Sequence, residues 1–477
     1  MPSRIWLDVE DIFEYAALNP RLSGIQRVQI EVGRALAALD PSGERVGFIK
    51  HVPGGSEFRV IPWESVAALA ERLEKAQSDA PAAAAAEPED RPQDWRPGRV
   101  RRAFRRQILR MGTRRRHHFV MSVVHQRAAL ASLRAFFRET DDNSGQAAAG
   151  GAAALAAPEG QPFRAVARPG DVVATMGAIW YHPDYAGLIK RNCHDLGLRF
   201  AVLVYDLIPV LRPEWVDEGN ARSFYNWFIG TIGLADHILA ISRATADDVE
   251  RYAAAQGIAL RGRVETVPMG TGFSTGLSAL SAEAAVAAGG ARALPAPGSY
   301  VLMVSTMEAR KNHLLLFHVW RRMLDTLPPD AVPTLVFAGG VGWMVEDLML
   351  QLRRCSFLGG KVVLVRNPTD AELRRLYDGC LFTVYPSFFE GWGLPVSESF
   401  GFGRPAVISN ATSLPEAGGD LARYFDPYCV TEAYEVIRRT LADRADLAAW
   451  RERVQREFRP TPWTETAEAV LRHLGGA

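Results

Sequence analysis

The chain has few cysteines, and none of them belongs to a familiar metal or disulfide motif. Only four occur in 477 residues, with no C-x-x-C pair and no histidine at metal-ligand spacing. They are Cys193, Cys355, Cys380 and Cys429. Structural zinc sites and disulfide frameworks need cysteines at short, regular spacings. The sequence therefore argues against both and predicts a reducing, cytoplasmic environment.

Long apolar runs and a strong excess of charge are also missing. The amino terminus reads MPSRIWLDVEDIF, with acidic residues where a signal peptide has a basic start. No apolar run reaches the roughly 18 residues that a membrane-spanning helix needs. The 55 Lys and Arg residues nearly balance 54 Asp and Glu residues, for a formal net charge of +1, so global charge does not point to nucleic acid. We expect an ordinary globular protein that does not cross a membrane.

Two common ligand motifs are absent as well. No apolar strand candidate runs into G-x-G-x-x-G, which disfavours a dinucleotide dehydrogenase. No D-x-D stands on a loop after a strand, where it could hold a divalent ion against a diphosphate. We therefore expect neither a nicotinamide cofactor nor a metal.

What the chain does contain is a repeated alternation of apolar strands and amphipathic helices. Runs such as FAVLVYDL and YVLMVS are strand candidates, and Gly24 to Leu39 carries apolar residues at helical spacing. Continuous apolar strands that alternate with helices are typical of parallel sheets covered on both faces. The alternation occurs in two blocks, so we predict an α/β protein with two Rossmann-like domains whose parallel sheets face one cleft.

Low-complexity stretches set the predicted domain boundaries. A Gly- and Ala-rich linker ends a first domain of residues 1–285, and a second domain covers residues 286–460. Residues 461–477 would form a closing helix that crosses back to the first domain. Residues 76–165 are predicted to be an insertion in the first domain, with borders rich in Ala, Gly and Pro.

The predicted insertion contains a strongly basic segment. Ten arginines fall between Arg96 and Arg116, with apolar residues among them at helical spacing. Such a segment either docks on an anionic membrane surface or is a solvated helix of a loosely ordered insertion. Nucleic acid is a third possibility that nothing else in the chain supports.

The strongest chemical signal is the segment FFEGWGLPVSESFGFGRPAVISN, which follows a predicted strand. Glu390 lies in the loop after that strand, and Glu398 lies inside the helix that Pro395 can start. Gly391 and Gly393 let the backbone approach a ligand. Open α/β sheets bind ligands at this end of their strands, and helix starts attract phosphates and hydroxyls. A solvated glutamate beside a Gly-Pro turn is the simpler interpretation of these residues alone.

A second signal follows the predicted strand VLMVS. The loop carries Arg310 and Lys311, and Asn312 can cap the helix behind them. Two cations beside a helix start can neutralise a pyrophosphate while the bond to it breaks. Taken alone, a solvated basic pair explains the same residues equally well.

These segments together resemble the signature of retaining glycosyltransferase family 4. The family's P-S-x-x-E-G-x-G-L-P-x-x-E-A, G-x-P-V and S-x-x-P-E elements match PSFFEGWGLPVSES, GRPAV and TSLPEAGGD here, with Ser399 in place of the usual Ala. The resemblance covers about the first 60 residues and the part from about Asp171 to the end. It implies a GT-B fold, a nucleotide-sugar donor and a glycan or lipid-linked acceptor.

The resemblance also implies roles for the matching residues. Glu390 would contact the hydroxyls of the donor sugar, Glu398 would hold the ribose, and Lys311 would bind the diphosphate. Arg310 would share that last role, because Ser305 stands where some members have a second arginine. A short stretch of backbone would face the sugar and the pyrophosphate, namely that of Gly391, Trp392, Gly393 and Leu394. Retention would need neither an enzyme nucleophile nor a metal, since the leaving phosphate itself helps to deprotonate the acceptor.

Shorter segments carry the resemblance in the first domain. LSGIQRVQIEV is similar to the family's glycine loop, in which Gly24 would let the donor phosphate pass close to the backbone. YDLIPVLRPEW resembles the H-D-x-x-P segment, but Tyr205 replaces the histidine. Asp206 is then the carboxylate that could steer an acceptor hydroxyl, or it only caps a turn. Trp180 and Tyr181 could form an aromatic acceptor wall or could pack in the core.

The R-K-N form of the phosphate loop, with D-L-I-P in the first domain, most resembles mannosyl- and rhamnosyltransferases of bacterial surface polysaccharide assembly, such as O-antigen and lipopolysaccharide. We therefore expect mannose from GDP-mannose, with rhamnose or another deoxyhexose from a dTDP- or GDP-sugar as the alternative. An epimerase would lack the Glu390 to Glu398 segment, and a phosphorylase needs a cofactor lysine that we do not find. A catalytically idle scaffold of a glycan assembly complex is the non-enzymatic alternative. The protein is expected to be cytoplasmic, with or without peripheral attachment to the inner face of the membrane.

Overall fold

The structure is a computed structural model. It describes residues 3–19, 22–51, 57–79, 160–272 and 293–475. Residues Met1–Ala82 and Ala157–Ala477 form one compact unit. The basic segment between Arg96 and Arg116, most of the predicted insertion and most of the predicted linker lie outside the described residues. Among the helices that the structure describes, none is long and apolar enough to span a bilayer.

The first domain is built on a sheet of seven strands. The strands are β1 (Ile5–Asp8), β2 (Val46–His51), β3 (Phe58–Ile61), β4 (Val172–Thr175), β5 (Arg199–Val204), β6 (His237–Ala240) and β7 (Val264–Thr266). Their spatial order is β3-β2-β1-β4-β5-β6-β7. All neighbours run parallel except β2 and β3, which are antiparallel. The central strands are buried along their whole length, as a sheet covered by helices on both faces requires.

Helices connect these strands. They are α1 (Glu10–Leu18), α2 (Gly24–Leu39), α3 (Trp63–Asp79), α4 (Tyr185–Asn192), α5 (Ile208–Leu211), α6 (Glu218–Thr231) and α7 (Arg243–Ala255). Single 3-10 turns occur at Phe163–Ala165, Ile179–Tyr181, His194–Leu196, Pro213–Trp215 and Ile232–Leu234. Ser242 caps α7, because its hydroxyl accepts the Thr245 N–H at 3.0 Å.

The second domain contains a six-stranded sheet. The strands are β8 (Tyr300–Val304), β9 (Thr334–Gly339), β10 (Val362–Arg366), β11 (Thr383–Tyr385), β12 (Ala406–Ser409) and β13 (Arg423–Phe425). They lie in the order β10-β9-β8-β11-β12-β13, and every neighbouring pair is parallel. The α/β fold with two parallel sheets that we predicted is therefore confirmed.

Eight helices of the described part belong to the second domain and the carboxyl terminus. They are α8 (His313–Thr326), α9 (Glu346–Arg354), α10 (Asp370–Gly379), α11 (Leu394–Gly401), α12 (Leu414–Gly418), α13 (Val430–Ala442), α14 (Arg444–Glu457) and α15 (Trp463–Leu474). Ser356–Gly360 form a left-handed turn, and 3-10 turns occur at Ala309–Lys311, Pro329–Ala331 and Gly419–Leu421. As predicted, a proline stands in the first turn of α11.

Helix α15 packs on the first sheet although it follows the second domain in the chain. Its residues Ala467, Val470 and Leu474 belong to the same buried cluster as Ile5 and Val32. The apolar face of this helix therefore completes the core of the first domain rather than that of the second.

Each sheet has one point where its strand order reverses. The reversal lies between β1 and β4 in the first sheet and between β8 and β11 in the second. The loops that leave two such strands turn to opposite faces of the sheet, so a crevice forms at their carboxyl ends and ligands bind there. The side chains at these two points are the first candidates for a functional site.

Candidate functional site

Three charged side chains meet at the reversal point of the second sheet. Arg310 and Lys311 lie in the turn after β8, and Glu390 lies in the loop after β11. Arg310 Nη1 is 2.8 Å from Glu390 Oε2, and Lys311 Nζ is 2.6 Å from Oε1. Each carboxylate oxygen therefore faces one cation. Two separate predicted signals come together here, and we call these three residues the charged cluster.

The electrostatics of the charged cluster favour its ionised form. The three side chains are only 14%, 15% and 13% exposed. Burial alone would raise the pKa of Glu390, but Arg310 and Lys311 outweigh burial and lower that pKa to about 2. The pKa of Arg310 is raised, because Glu390 and Glu308 together outweigh its burial. An anionic ligand at this place would compete with Glu390 for the two cations.

Backbone hydrogen bonds hold the loops of the charged cluster in place. The Phe388 N–H donates to Arg310 O at 3.0 Å, and Arg310 Nη1 donates to Phe389 O at 2.6 Å. The Glu390 N–H donates to the hydroxyl of Thr412, at 2.9 Å, in the loop after β12. Three neighbouring loops are thus tied together, which presents the two cations in a fixed arrangement.

Asn312 does not cap helix α8, and that prediction was wrong. Its backbone is left-handed, with φ at 59°, and its side chain makes no cap bond. Its Nδ2 instead donates to Pro386 O at 3.1 Å and to Pro427 O at 3.0 Å. Asparagine tolerates left-handed backbone better than most residues do. The side chain therefore joins the loops after β11 and β13.

Ser305 stands at the carboxyl end of β8, close to a buried histidine. Its hydroxyl lies 3.2 Å from His313 Nε2. Burial, helped by the charge of Lys311, lowers the pKa of His313 to about 3. The imidazole is therefore neutral near pH 7, and the positive charge of the site comes from Arg310 and Lys311.

Glu398 lies inside α11 and joins the two domains. Its Oε2 accepts the Tyr377 hydroxyl at 3.1 Å, and its Oε1 lies 3.5 Å from Arg27 Nη1. Burial raises the pKa of Glu398, and Arg27 opposes that rise. Sequence reasoning missed Arg27, although it is the arginine of the SGIQRV segment that drew attention to Gly24. Gly24 itself is the first residue of α2, with open space where a Cβ would stand.

The segment from Gly391 to Leu394 lies against the first domain. A Cβ on Gly391 would stand 2.2 Å from Tyr205 O, so only glycine fits there. Gly393 has φ at 112°, a conformation that also favours glycine. Trp392 and Leu394 pack against the buried cluster of the first sheet. Their contacts with a donor stay a prediction.

Tyr205 and Asp206 follow β5 on the facing side of the cleft. The Tyr205 hydroxyl donates to Met176 O at 2.7 Å. Asp206 Oδ1 accepts the Ile208 N–H at 3.0 Å, as a turn cap does. Burial raises the pKa of Asp206, and the charge of Arg310 opposes that rise. Asp206 therefore caps a turn and also lies within electrostatic reach of the charged cluster.

Trp180 and Tyr181 lie outside the charged cluster. The Trp180 ring packs on Phe224 and Trp227, with centroids 5.3 and 5.9 Å away. Trp180 Nε1 and the Tyr181 hydroxyl both donate to Asn220 Oδ1, at 3.0 and 3.1 Å. Trp180 is thus partly buried and packs against the core, whereas Tyr181 is 62% exposed.

Sequence reasoning also missed a group of buried carboxylates at the reversal point of the first sheet. Asp8 accepts the Tyr185 hydroxyl at 2.8 Å, and Asp11 accepts Gln26 Nε2 at 2.7 Å. Burial raises the pKa of Glu10 to about 8 and that of Asp11 to about 6. The DVED run, which begins at the last residue of β1, was the available signal. Across the described ranges, no three His, Cys, Asp or Glu residues are placed to hold a metal ion.

Glu416, the glutamate of the SLPE segment, forms a second polar link between the domains. Its two carboxylate oxygens accept the N–H groups of Arg243 and Ala244, each at 2.8 Å. These N–H groups open helix α7, where a negative charge is favoured. Together with the Arg27 to Glu398 pair, this contact joins the facing edges of the two sheets.

The second domain matches the model of a known protein family. Residues 291–457 match the family model described as "Glycosyl transferases group 1". This range contains all of the charged cluster and Glu398, and it ends before helix α15.

Individual relatives match over parts of the chain. The chain is 28% identical over 291 residues to "Serotype-specific mannosyltransferase WbdA" of Escherichia coli. The aligned region covers 57% of this chain and 33% of that protein. It is 36% identical over 153 residues to "O-antigen chain mannosyltransferase B" of Escherichia coli. This aligned region covers 32% of this chain and 38% of that protein. The chain thus spans about a third of the length of these relatives. Among solved structures, TarM aligns with a TM-score of 0.47 at 13% identity, over 64% of this chain and 55% of TarM. Anabaena Alr3699/HepE in complex with UDP aligns with a TM-score of 0.46 at 16% identity, over 64% and 78%.

Proposed function

We propose, from the group 1 glycosyltransferase family that residues 291–457 match, that the chain transfers a sugar from a nucleotide-sugar donor to a glycan or lipid-linked acceptor. The proposal depends on one observation. Arg310 and Lys311 both form ion pairs with Glu390 at the reversal point of the second sheet. Two fixed cations, held in a crevice between parallel strands, suit a ligand that carries a pyrophosphate.

In this proposal, Arg310 and Lys311 stabilise the leaving pyrophosphate. As the bond between sugar C1 and the phosphate oxygen breaks, negative charge grows on that oxygen. The two cations then interact more strongly with the transition state than with the bound donor, which lowers the barrier. Glu390, released from the cations, accepts hydrogen bonds from hydroxyls of the donor sugar.

We propose retention of configuration without an enzyme nucleophile or a metal ion. The acceptor hydroxyl attacks C1 from the face that the phosphate leaves, and its proton passes to the departing phosphate oxygen. Asp206, which lies within electrostatic reach of Arg310, orients that hydroxyl. The two cations supply the positive charge that a metal supplies in other enzymes.

We propose mannose from GDP-mannose as the transferred sugar, in the synthesis of a bacterial surface polysaccharide. The names of both Escherichia coli relatives support this choice, since each is a mannosyltransferase and one acts on an O-antigen chain. Rhamnose or another deoxyhexose from a dTDP- or GDP-sugar is the alternative donor. The relatives extend well beyond the part that this chain matches, so the acceptor has to be identified by assay.

A transfer assay tests the proposal. The purified chain is incubated in EDTA with GDP-mannose and a mannose oligosaccharide, and the new linkage is read by NMR. We expect an α-linked product, with the anomeric configuration of the donor. Lys311→Ala should lower turnover roughly 100- to 1,000-fold, the usual effect of removing one charge-stabilising group. The matched control is Lys190→Ala, an exposed lysine of the first domain, which should leave turnover unchanged.

Each other outcome of this assay has a definite meaning. A requirement for added divalent metal contradicts the metal-independent mechanism, and a β-linked product contradicts retention. Transfer from a dTDP-sugar selects the alternative donor. If no nucleotide sugar is bound or consumed, the result points to an idle scaffold of a glycan assembly complex or to a donor site that forms only when the acceptor is present.

Attachment to the inner face of the cytoplasmic membrane is a separate proposal, which depends on the basic segment between Arg96 and Arg116 alone. Deleting residues 80–160 should weaken binding to anionic vesicles, and the effect should fade as salt is added. Donor binding should persist in this deletion variant. Vesicle binding that does not change on deletion contradicts the attachment.

A further inference from the structure

We propose that a row of aromatic side chains beside the charged cluster binds the sugar rings of an extended, neutral glycan, which is the acceptor. This row, called the aromatic row below, consists of Trp343, Trp215, Phe388 and Tyr428. The inference rests on the proposed function and assigns a chemical class of acceptor to that same cleft.

The aromatic row crosses from one domain to the other. Trp215 of the first domain stacks on Phe388 of the second, with ring centroids 5.6 Å apart and planes inclined by 11°. Phe388 in turn contacts Tyr428, with centroids 4.8 Å apart. At the other end, Trp343 Nε1 donates to Trp215 O at 2.8 Å. The four residues therefore form one connected series of contacts.

The ends of the aromatic row are open to solvent. Trp343 is 46% exposed and Tyr428 is 64% exposed, whereas Trp215 is only 9% exposed. Exposed aromatic faces forgo the free energy of burial, so a connected set of them marks a binding surface.

The aromatic row adjoins the charged cluster through the chain itself. The N–H of Phe388 donates to Arg310 O at 3.0 Å, and Arg310 Nη1 bonds both Phe389 O and Glu390. A sugar ring on this part of the row lies next to the cations assigned to the pyrophosphate. An acceptor bound there can extend along the row while its terminal hydroxyl points toward the donor.

The chemistry of the aromatic row suits pyranose rings. A pyranose has apolar C–H faces and hydroxyl edges, so an aromatic surface with hydrogen-bonding groups at its rim matches both. Arg212 brings hydrogen-bonding N–H groups to the aromatic row, with its guanidinium over the face of the Trp215 ring, 4.0 Å from the ring centre. Its Nε donates to Glu214 Oε1 at 2.7 Å. These groups can meet hydroxyls while the rings stack.

Charge favours a neutral glycan over an anionic lipid surface. The carboxylates of Glu214 and Glu218, near Trp215 in the chain, form ion pairs with Arg212 and Arg222, at 2.7 and 2.8 Å. Glu346, also exposed, follows Trp343 at the start of α9. A surface whose charges are balanced in this way does not attract anionic headgroups, and it places no obstacle before a neutral polysaccharide.

Affinity electrophoresis tests glycan binding without any donor. The chain is run in native gels that contain increasing amounts of a linear α-mannan, and the retardation gives an apparent Kd. Trp343→Ala and Tyr428→Ala should each weaken binding ~10-fold, which corresponds to about 1.4 kcal/mol. Trp343→Phe and Tyr428→Phe keep an aromatic face and should retain most of the affinity. Tyr225→Ala removes an exposed tyrosine outside the row and serves as the matched control.

Kinetics provide a second readout. The KM for mannose oligosaccharides should fall with acceptor length in the wild type, and the two alanine variants should lose most of this dependence. The rise in melting temperature that a donor causes should persist in both variants, since neither residue belongs to the charged cluster. A persisting donor effect shows that the variants are folded.

Three results would overturn the inference. In the first, mannan does not retard the wild type. In the second, the alanine variants are retarded as strongly as the wild type. In the third, the alanine variants lose binding to anionic vesicles instead of binding to mannan. Failure of the proposed function is a different result: mannan retards the wild type and the variants lose that effect, yet no nucleotide sugar is consumed.

Discussion

Single charged groups define the site. Arg310 and Lys311 each take one oxygen of Glu390, and their charges hold the pKa of that buried carboxyl at about 2. In the sequence, the arginine–lysine pair and the glutamate are separate signals, and each has a simple solvated interpretation. The adjacency of β8 and β11 brings them together. Residue types were therefore predictable, and their mutual distances were not.

Glu390→Gln tests this electrostatic account through pH. The pKa of Glu390 lies at about 2 in the folded protein, below its ordinary value of 4.5. The ionised carboxylate therefore stabilises the fold above about pH 4.5, and that contribution is lost as pH falls toward 2. We expect the variant to be less stable by on the order of 2–3 kcal/mol at pH 7 and to approach the wild type near pH 2. Thermal unfolding from pH 2 to 7 measures the difference, and a deficit that is constant with pH contradicts the account.

At the scale of elements, apolar patterning predicted most strands and helices, because each one buries a continuous or periodic set of apolar residues. Helix Gly24–Leu39 is an example. The cap at Asn312 was wrong for a tertiary reason. Its amide bonds two loop carbonyls from distant parts of the chain, and no local pattern encodes those partners.

Gly391 provides a test at the level of a loop. A Cβ at this position would stand 2.2 Å from Tyr205 O in the first domain. Gly391→Ala should therefore destabilise the protein by about 1–3 kcal/mol, the usual cost of overpacking. Gly24→Ala is the matched control, because no atom lies within 4 Å of the corresponding Cβ. Thermal unfolding measures the stability of both variants. Equal stability of the two would contradict the close contact between Gly391 and Tyr205 O.

For the whole molecule, the important contacts are those between the domains. Arg27 reaches Glu398 across 371 residues of sequence, and Glu416 reaches the Arg243 N–H across 173. Such pairs depend on how the two sheets are placed once the chain has folded. The sequence alone predicted two parallel sheets that face a cleft. It did not predict which residues form contacts across that cleft.

Glu416→Ala should loosen the two domains. The variant leaves the first N–H groups of α7 without their carboxylate partner, so the arrangement with both sheets in contact loses two hydrogen bonds. We expect a larger radius of gyration in solution scattering and a several-fold higher KM for the donor. Glu452→Ala, at an exposed position of α14, is the control. An unchanged radius together with an unchanged KM would show that this contact does not hold the domains together.

The central claim is that the charged cluster is the donor site, in which Arg310 and Lys311 bind the pyrophosphate. The most direct measurement is the melting temperature of the wild type, Lys311→Ala and Glu398→Ala with and without GDP-mannose, in EDTA. A ligand that binds only the folded state raises the melting temperature. We predict a rise for the wild type that persists in EDTA and is lost in both variants. A rise of equal size in Lys311→Ala would contradict the claim.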